Sequence, residues 1–239
     1  MTPSTVDRVQ IKVCGITTPE EAKACVDLGA DMIGINCWEP SPRYVSKEKL
    51  NAITDLIGDH VETVALFVNE DQEKVNSLME ENGFNTAQLH GDETPEYTMK
   101  INFPWFKAFR VHSDFQPSTI RRYGQSRFLL DAYAKNTYGG TGKTFNWDIA
   151  IDAKQQGHLM LAGGLTPENA AEAVRKVKPD ALDVCSGVES EPGKKDLAAV
   201  ERFIQNVRMA EQELMESALV SQLDRSSSGP APASPLPEE

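Results

Sequence analysis

The sequence predicts an α/β fold of one domain, a closed parallel sheet of eight strands wrapped by eight helices, which is a (β/α)8 barrel. Three observations carry that expectation. Short β-rich runs alternate eight times with longer stretches of helical period. The length, 239 residues, is one at which single barrels of this kind are common. In the first run, Val9-Gln10-Ile11-Lys12-Val13-Cys14-Gly15, successive side chains alternate between faces, so Gln10, Lys12 and Cys14 share one side and Val9, Ile11 and Val13 the other. With the apolar side against helices, the polar side lines the interior of a closed sheet and Cys14 stands at its mouth.

The first strand is read over Val9 to Cys14, and its helix, Pro19 to Leu28, opens with an N-cap Thr18, Pro19 in the first turn and Glu21 three residues on. Strand two, Met32 to Asn36, is followed by a loop stiffened by Pro40 and Pro42 and by a helix over Lys47 to Ile57. Strand three, Thr63 to Val68, leads to a helix over Gln72 to Asn82, and strand four, Thr86 to Leu89, to one over Pro95 to Ile101. Strand five, Trp105 to Phe109, precedes Pro117 to Tyr123, and strand six, Arg127 to Asp131, precedes Trp147 to Gln156. Strand seven, His158 to Leu161, precedes a helix over Pro167 to Lys176 that opens Thr166-Pro167-Glu168 in the style of the first. Strand eight, Ala181 to Cys185, precedes Asp196 to Glu216. The likeness of the two Thr-Pro-Glu openings reads either as a repeated βα unit or as two good capping sequences. Beyond about Met215 apolar periodicity fades, and Ser226 to Pro235 has the composition of a solvated segment. The barrel domain is therefore assigned to residues 1–216 and a Ser/Pro-rich tail to 217–239.

A net charge of −12 and a pI near 4.9 argue against nucleic acid and anionic membrane surfaces as partners, because both need clustered Lys and Arg. No run reaches the length of a membrane span, and the N-terminus lacks the apolar segment of a signal peptide. The four cysteines, Cys14, Cys25, Cys37 and Cys185, have no C-x-x-C spacing, and no His and Cys cluster has a zinc spacing. These features point to a cytoplasmic protein with free thiols and no zinc site. Oligomeric state is not legible in the sequence.

Cys14 is either a small core residue or a catalytic group, and its place at the C-terminal end of a strand, before Gly15 and a capped helix, favours catalysis. A base role requires the thiolate to be stabilised by nearby positive charge or amide donors. Lys12, one inward step below, offers such charge, although a structural ion pair inside the barrel is the favoured reading for it. Cys25 reads as helix packing. Asp131 ends strand six before a Gly-rich loop, Tyr138 to Lys143; it is either a turn cap or an acid facing Cys14 across the mouth. Gly139-Gly140-Thr141-Gly142-Lys143 lacks the residues that would make it a nucleotide-binding loop.

Phosphate binding is expected from Gly163 and Gly164 after strand seven and from Cys185, Ser186 and Gly187 after strand eight, where small residues let backbone N–H groups approach an anion. Asp183 points inward by alternation, to orient a substrate or to bond the loop. Arg43, in Ser41-Pro42-Arg43-Tyr44, grips a carboxylate through two parallel hydrogen bonds or is simply solvated. Gln88 and His90 alternate at the end of strand four and contact substrate or form a structural network. A thiolate and a carboxylic acid on opposite sides of one small phosphorylated molecule suggest an isomerase.

Taken together, these motifs resemble the phosphoribosylanthranilate isomerase family, TIM-barrel enzymes of tryptophan biosynthesis. The likeness runs from about Ile11 to Phe203 and rests on the order of Lys12-Val13-Cys14-Gly15-Ile16-Thr17, Ser41-Pro42-Arg43-Tyr44-Val45, Gln88-Leu89-His90-Gly91, Leu129-Leu130-Asp131, Gly139-Gly140-Thr141-Gly142, Gly163-Gly164-Leu165-Thr166-Pro167-Glu168-Asn169, and Ser186-Gly187-Val188-Glu189 with Pro192-Gly193-Lys194-Lys195-Asp196. It implies Cys14 as general base, Asp131 as general acid, Arg43 as partner of the anthranilate carboxylate, and backbone groups near Gly164 and Cys185 to Gly187 as the phosphate cradle. The implied reaction is an Amadori rearrangement of N-(5-phosphoribosyl)anthranilate, with neither metal nor redox cofactor. It requires an acid with a raised pKa and a thiol with a lowered one. Two departures from the family pattern stand out. Gly34-Ile35-Asn36-Cys37-Trp38-Glu39 replaces an aromatic-rich run after strand two, and Cys185 stands where Ser is usual. The first admits a different phosphosugar isomerase or epimerase as a second reading. A catalytically silent phospholigand-binding protein is the third, disfavoured because both proposed catalytic groups are present.

Overall fold

The computed structural model describes residues 8–132 and 144–227, with side chains in the last helix through Val220. Eight parallel strands, β1 (Gln10–Ile16), β2 (Met32–Asn36), β3 (Glu62–Phe67), β4 (Thr86–Leu89), β5 (Trp105–Val111), β6 (Arg127–Ala132), β7 (His158–Leu161) and β8 (Ala181–Val184), pair in sequence order, and β8 returns to β1 to close the barrel. The outer ring holds α1 (Pro19–Asp27), α2 (Lys47–Ile57), α3 (Gln72–Glu81), α4 (Pro95–Thr98), α5 (Trp147–Ala153), α6 (Pro167–Val177) and α7 (Leu197–Ser227). The expected caps are present: Thr18 accepts from the Glu21 N–H, and Thr166 with Asn169 forms a capping box on α6.

The strands are buried on both faces, as parallel sheets require. Ile11, Ile33, Ala65, Leu130, Leu161 and Leu182 face the helices with Ala22, Leu50, Val75, Ala170 and Phe203. The interior is filled by Met32, Val64, Phe106, Ala108, Leu129, Met160, Ala162 and Ala181. Below that plug, Arg127 pairs with Glu62 at 2.6 Å and its guanidinium lies 4.7 Å from the Phe106 ring centre. With the barrel interior packed, the C-terminal mouth is the expected place for chemistry.

Several elements differ from the sequence expectation. The stretch Pro117–Tyr123 is a 3-10 helix ending at left-handed Gly124, because Ile120 alone is buried and one apolar anchor does not hold two α turns. α4 stops at Thr98, and the chain continues to Ile101 through two i→i+3 bonds, Lys100 N–H to the Tyr97 carbonyl and Ile101 N–H to the Thr98 carbonyl. β1 runs past Cys14 to Ile16, with a register shift between those two residues that places Gly15 at φ +75°. A short hairpin, β9 (Glu189–Glu191) with β10 (Lys194–Lys195), follows β8. α7 continues to Ser227, past the expected end at Glu216, but its packing ends near Leu214 and residues 215–220 are exposed. Among the described residues no helix is long and apolar enough to cross a membrane.

Candidate active site

Alternation along β1 turns Lys12 and Cys14 into the barrel. Lys12 has no exposed surface, and its Nζ donates to Asp183 Oδ1 at 2.9 Å, its register partner on β8. The ion pair favoured from sequence is therefore formed. On the other side, Cys14 is opposite Gly34 of β2. A Cβ at position 34 would lie 2.8 Å from both Cys14 Sγ and Lys12 Nζ, so the missing side chain makes the space that these two groups fill.

That packing sets the charge state of the thiol. A hydrogen bond from the Cys185 thiol and the adjacent Lys12 ammonium hold Cys14 well below the ordinary thiol range, against the opposing effect of burial. Burial also works against the Lys12 charge, but Asp183 and Cys14 outweigh it and keep the ammonium protonated. Burial pushes the Asp183 carboxyl up to about 6 in spite of Lys12. Cys25 and Cys37, which lack such partners, are both pushed up to about 12 by burial.

Asp131, at the end of β6, accepts the Ala132 N–H on Oδ1 at 2.8 Å. Its Oδ2 lies 3.3 Å from His90 Nε2, and His90 Nδ1 lies 2.6 Å from Gln88 Nε2. Because an amide nitrogen only donates, Nδ1 accepts and Nε2 carries the hydrogen directed at Asp131. Gln88 sits fully buried beneath His90, and among the described residues its Oε1 has no partner. His90 thus faces the cavity, and Gln88 supports it from below.

The cavity at the barrel mouth is walled by Cys14, Arg43, His90, Asp131, Gly163, Gly164, Asp183, Cys185 and Ser186, with Gly15, Asn36, Ser41, Leu66, Ala162 and Leu165 between them. Gly163 and Gly164 both have positive φ, +84° and +62°. At Gly163 the backbone passes so close to Asp131 that an added Cβ would lie 2.9 Å from its Oδ1. Gly187 lies behind the wall, where no side chain fits against the Leu165 carbonyl, and this contact ties the loops after β7 and β8 together. The expected site residues thus converge on one cavity, apart from Gln88 below it and Gly187 behind it. The Gly139–Lys143 loop lies outside the described residues.

Arg43 reaches over Gly15, whose added Cβ would lie 2.6 Å from Arg43 Cδ. Its Nε and Nη2 fork onto Glu189 at 2.8 and 2.6 Å, and Lys195 Nζ adds a third donor to Glu189 at 2.8 Å. The Glu189 carboxyl is lowered by these two cations, although burial opposes the shift. No role for Glu189 or Lys195 is expected from sequence. The signal available was Pro192-Gly193, a turn pair between an acidic and a basic run, which predicts a hairpin but not where it folds. It folds over the loop after β1: Thr17 Oγ1 donates to the Gly193 carbonyl at 2.7 Å, and Lys195 N–H to Glu21 Oε1 at 2.8 Å. Among the described residues, His, Cys, Asp and Glu side chains form no group of three that could hold a metal ion.

Residues 11–206 match the family model of N-(5'phosphoribosyl)anthranilate (PRA) isomerase. The N-(5'-phosphoribosyl)anthranilate isomerase of Trichlorobacter lovleyi is 49% identical over 203 residues, covering 84% of this chain and 99% of that protein. The crystal structure of the Thermotoga maritima phosphoribosyl anthranilate isomerase superposes with a TM-score of 0.76 at 36% identity, over 84% of this chain and 98% of that one. A phosphoribosyl anthranilate isomerase in complex with reduced 1-(o-carboxyphenylamino)-1-deoxyribulose 5-phosphate matches with a TM-score of 0.74 at 35% identity, over the same shares of the two chains. The barrel, its order of motifs and these matches agree, and the chain belongs to the N-(5'-phosphoribosyl)anthranilate isomerase family.

Proposed function

We propose that the chain converts N-(5'-phosphoribosyl)anthranilate into 1-(2-carboxyphenylamino)-1-deoxyribulose 5-phosphate in tryptophan biosynthesis, with Cys14 as general base and Asp131 as general acid. The observation that carries the residue assignment is their position on one cavity wall system, with the thiol lowered and the glycine loops beside them. Asp131, protonated at the start, gives its proton to the furanose ring oxygen. The ring opens, and the C1′ to nitrogen bond becomes a protonated Schiff base. The Cys14 thiolate then removes the C2′ proton, and its electrons flow to the iminium nitrogen to give an enolamine. Tautomerisation to the ketone completes the rearrangement, and each group ends one proton transfer away from its starting state. His90, directed by Gln88, orients the Asp131 carboxyl for the first step.

The phosphate is assigned to Gly163, Gly164, Cys185, Ser186 and Gly187, where two left-handed glycines and a third small residue leave the backbone amides open to an anion. The anthranilate carboxylate is assigned to Arg43, which meets it through Nη1 while Nε and Nη2 stay on Glu189. Asp183 holds Lys12 beneath the reacting carbons. We place the protein in the cytoplasm, where its four free thiols are kept reduced. The test is growth of a strain lacking this isomerase on tryptophan-free medium. The chain is expected to restore growth, and failure of a well-expressed, folded protein to do so contradicts the assignment.

A further inference from the structure

The catalytic cavity holds a second sulfur whose presence the isomerisation does not require. β1 and β8 pair in register through Lys12 with Asp183 and Val13 with Val184; Cys14 is the next residue of β1, and Cys185 follows the last residue of β8. Both side chains line the cavity, and a Cβ added at Gly15, the residue after Cys14, would lie 2.9 Å from Cys185 Sγ. Neighbouring parallel strands are about 4.8 Å apart, within the roughly 4.4–6.8 Å Cα separation that a disulfide spans. Lys195 Nζ lies 3.9 Å from Cys185 Sγ and opposes, without overcoming, the Cys14 interaction and the burial that hold the Cys185 thiol well above its ordinary range. Cys25 and Cys37 are buried and do not line the cavity, and serve as internal references.

We propose that Cys14 and Cys185 are a paired oxidation site, converted by hydrogen peroxide into a reversible disulfide that switches the active site off. The Cys14 thiolate attacks the peroxide, so that an S–O bond forms as the O–O bond breaks and the departing oxygen leaves as water after protonation. Cys185 then attacks the sulfenic sulfur: an S–S bond forms, the S–O bond breaks, and the Cys185 proton leaves with the hydroxyl as a second water. Two thiols lose one electron each and one peroxide is reduced by two electrons. A dithiol reductant reverses the bond. Cys185 therefore acts as a resolving thiol that traps Cys14 before irreversible oxidation, a protection that a serine at this position does not give. The inference shares Cys14 with the proposed mechanism, but its readout is covalent and does not depend on turnover.

The test exposes the folded, reduced chain to hydrogen peroxide, alkylates remaining thiols under denaturing conditions and maps the peptides by mass. The expected result is a fall from four alkylatable thiols to two, a Cys14–Cys185 linked peptide within one chain, and return to four after dithiothreitol. In Cys185→Ser the same treatment is expected to drive Cys14 to sulfinic acid, which dithiothreitol does not reverse. Oxidised Cys14 accompanied by a free, alkylated Cys185 in the wild-type chain overturns the proposal, as does a disulfide between chains or one involving Cys25 or Cys37. If the linked peptide forms in a protein without isomerase activity, the proposed function fails and the oxidation site stands.

Discussion

Lys12 and Cys14 have their chemistry set by an absence. Gly34 has no side chain, and that vacancy lets the ammonium and the sulfur sit together within the barrel. With the thiolate as the proposed base, activity is expected to fall as pH drops through the Cys14 pKa, and the lowered pKa carries activity to lower pH than an ordinary thiol of about 8.5 would. Replacing Lys12 by Met removes the cation and shifts the acid limb of kcat/KM upward in pH. The pH dependence of Cys14 alkylation by iodoacetamide is expected to move in the same direction, a readout that separates charge from simple loss of folding, and Lys12→Arg should restore part of the shift. An unchanged alkylation profile would assign Lys12 a purely structural part. The inward placement of Lys12, Cys14, Asp131 and Asp183 was legible in the sequence because strand alternation is a local rule. The commitment of Arg43 to Glu189 was not, since it depends on a hairpin from far along the chain folding across the first βα loop.

The loop after β4 is held by a charge outside the barrel wall. Lys107 on β5 is buried, and its Nζ donates to the carbonyls of Leu89, Gly91 and Ala108, with Glu93 at 3.3 Å. Glu93 in turn accepts the N–H groups of Asn69 and Gly91. This clamp fixes the backbone on either side of His90, and so the ring that faces Asp131. Burial lowers the Lys107 pKa, while Glu93 supports the charge. Lys107→Met leaves Glu93 buried without its cation and is expected to cost about 3–5 kcal/mol in unfolding free energy, measured by urea denaturation. A loss below about 1 kcal/mol, the scale of an exposed pair, would show that the clamp is solvated. Legibility at this scale followed the strength of the local pattern. α1 and α6, each opening with Thr-Pro-Glu, start where expected, whereas Pro117–Tyr123 gave a helix of a different type because its sequence supplied one buried anchor.

Closure sets the start of β1 beside α7. Arg208 on α7 donates to the Val9 carbonyl at 2.7 Å and pairs with Asp31 at 3.1 Å, and the neighbouring Glu211 accepts the Val9 N–H. Phe203, Val207 and Ala210 pack the same helix on the barrel, but its residues 215–220 are exposed. We propose that the catalytic domain ends near Glu216, within the helix, and that residues 217–239 can be removed without loss of the fold. Truncation after Glu216 is expected to leave the melting temperature within about 2–4 °C, the shift that roughly 1 kcal/mol gives at this size, while truncation after Ile204 prevents folding. A large loss of stability in the longer variant would show that the exposed end of α7 has a structural partner. The same closure brings the ends of β1 and β6 to one mouth, and on that convergence the catalytic account depends. Steady-state turnover of N-(5'-phosphoribosyl)anthranilate by folded Cys14→Ala and Asp131→Asn tests it most directly. Loss of a general base or acid predicts a fall in kcat of about 10²–10⁴-fold in each variant, with the fold preserved by circular dichroism. Turnover within a few-fold of the wild-type chain in either variant would contradict the account.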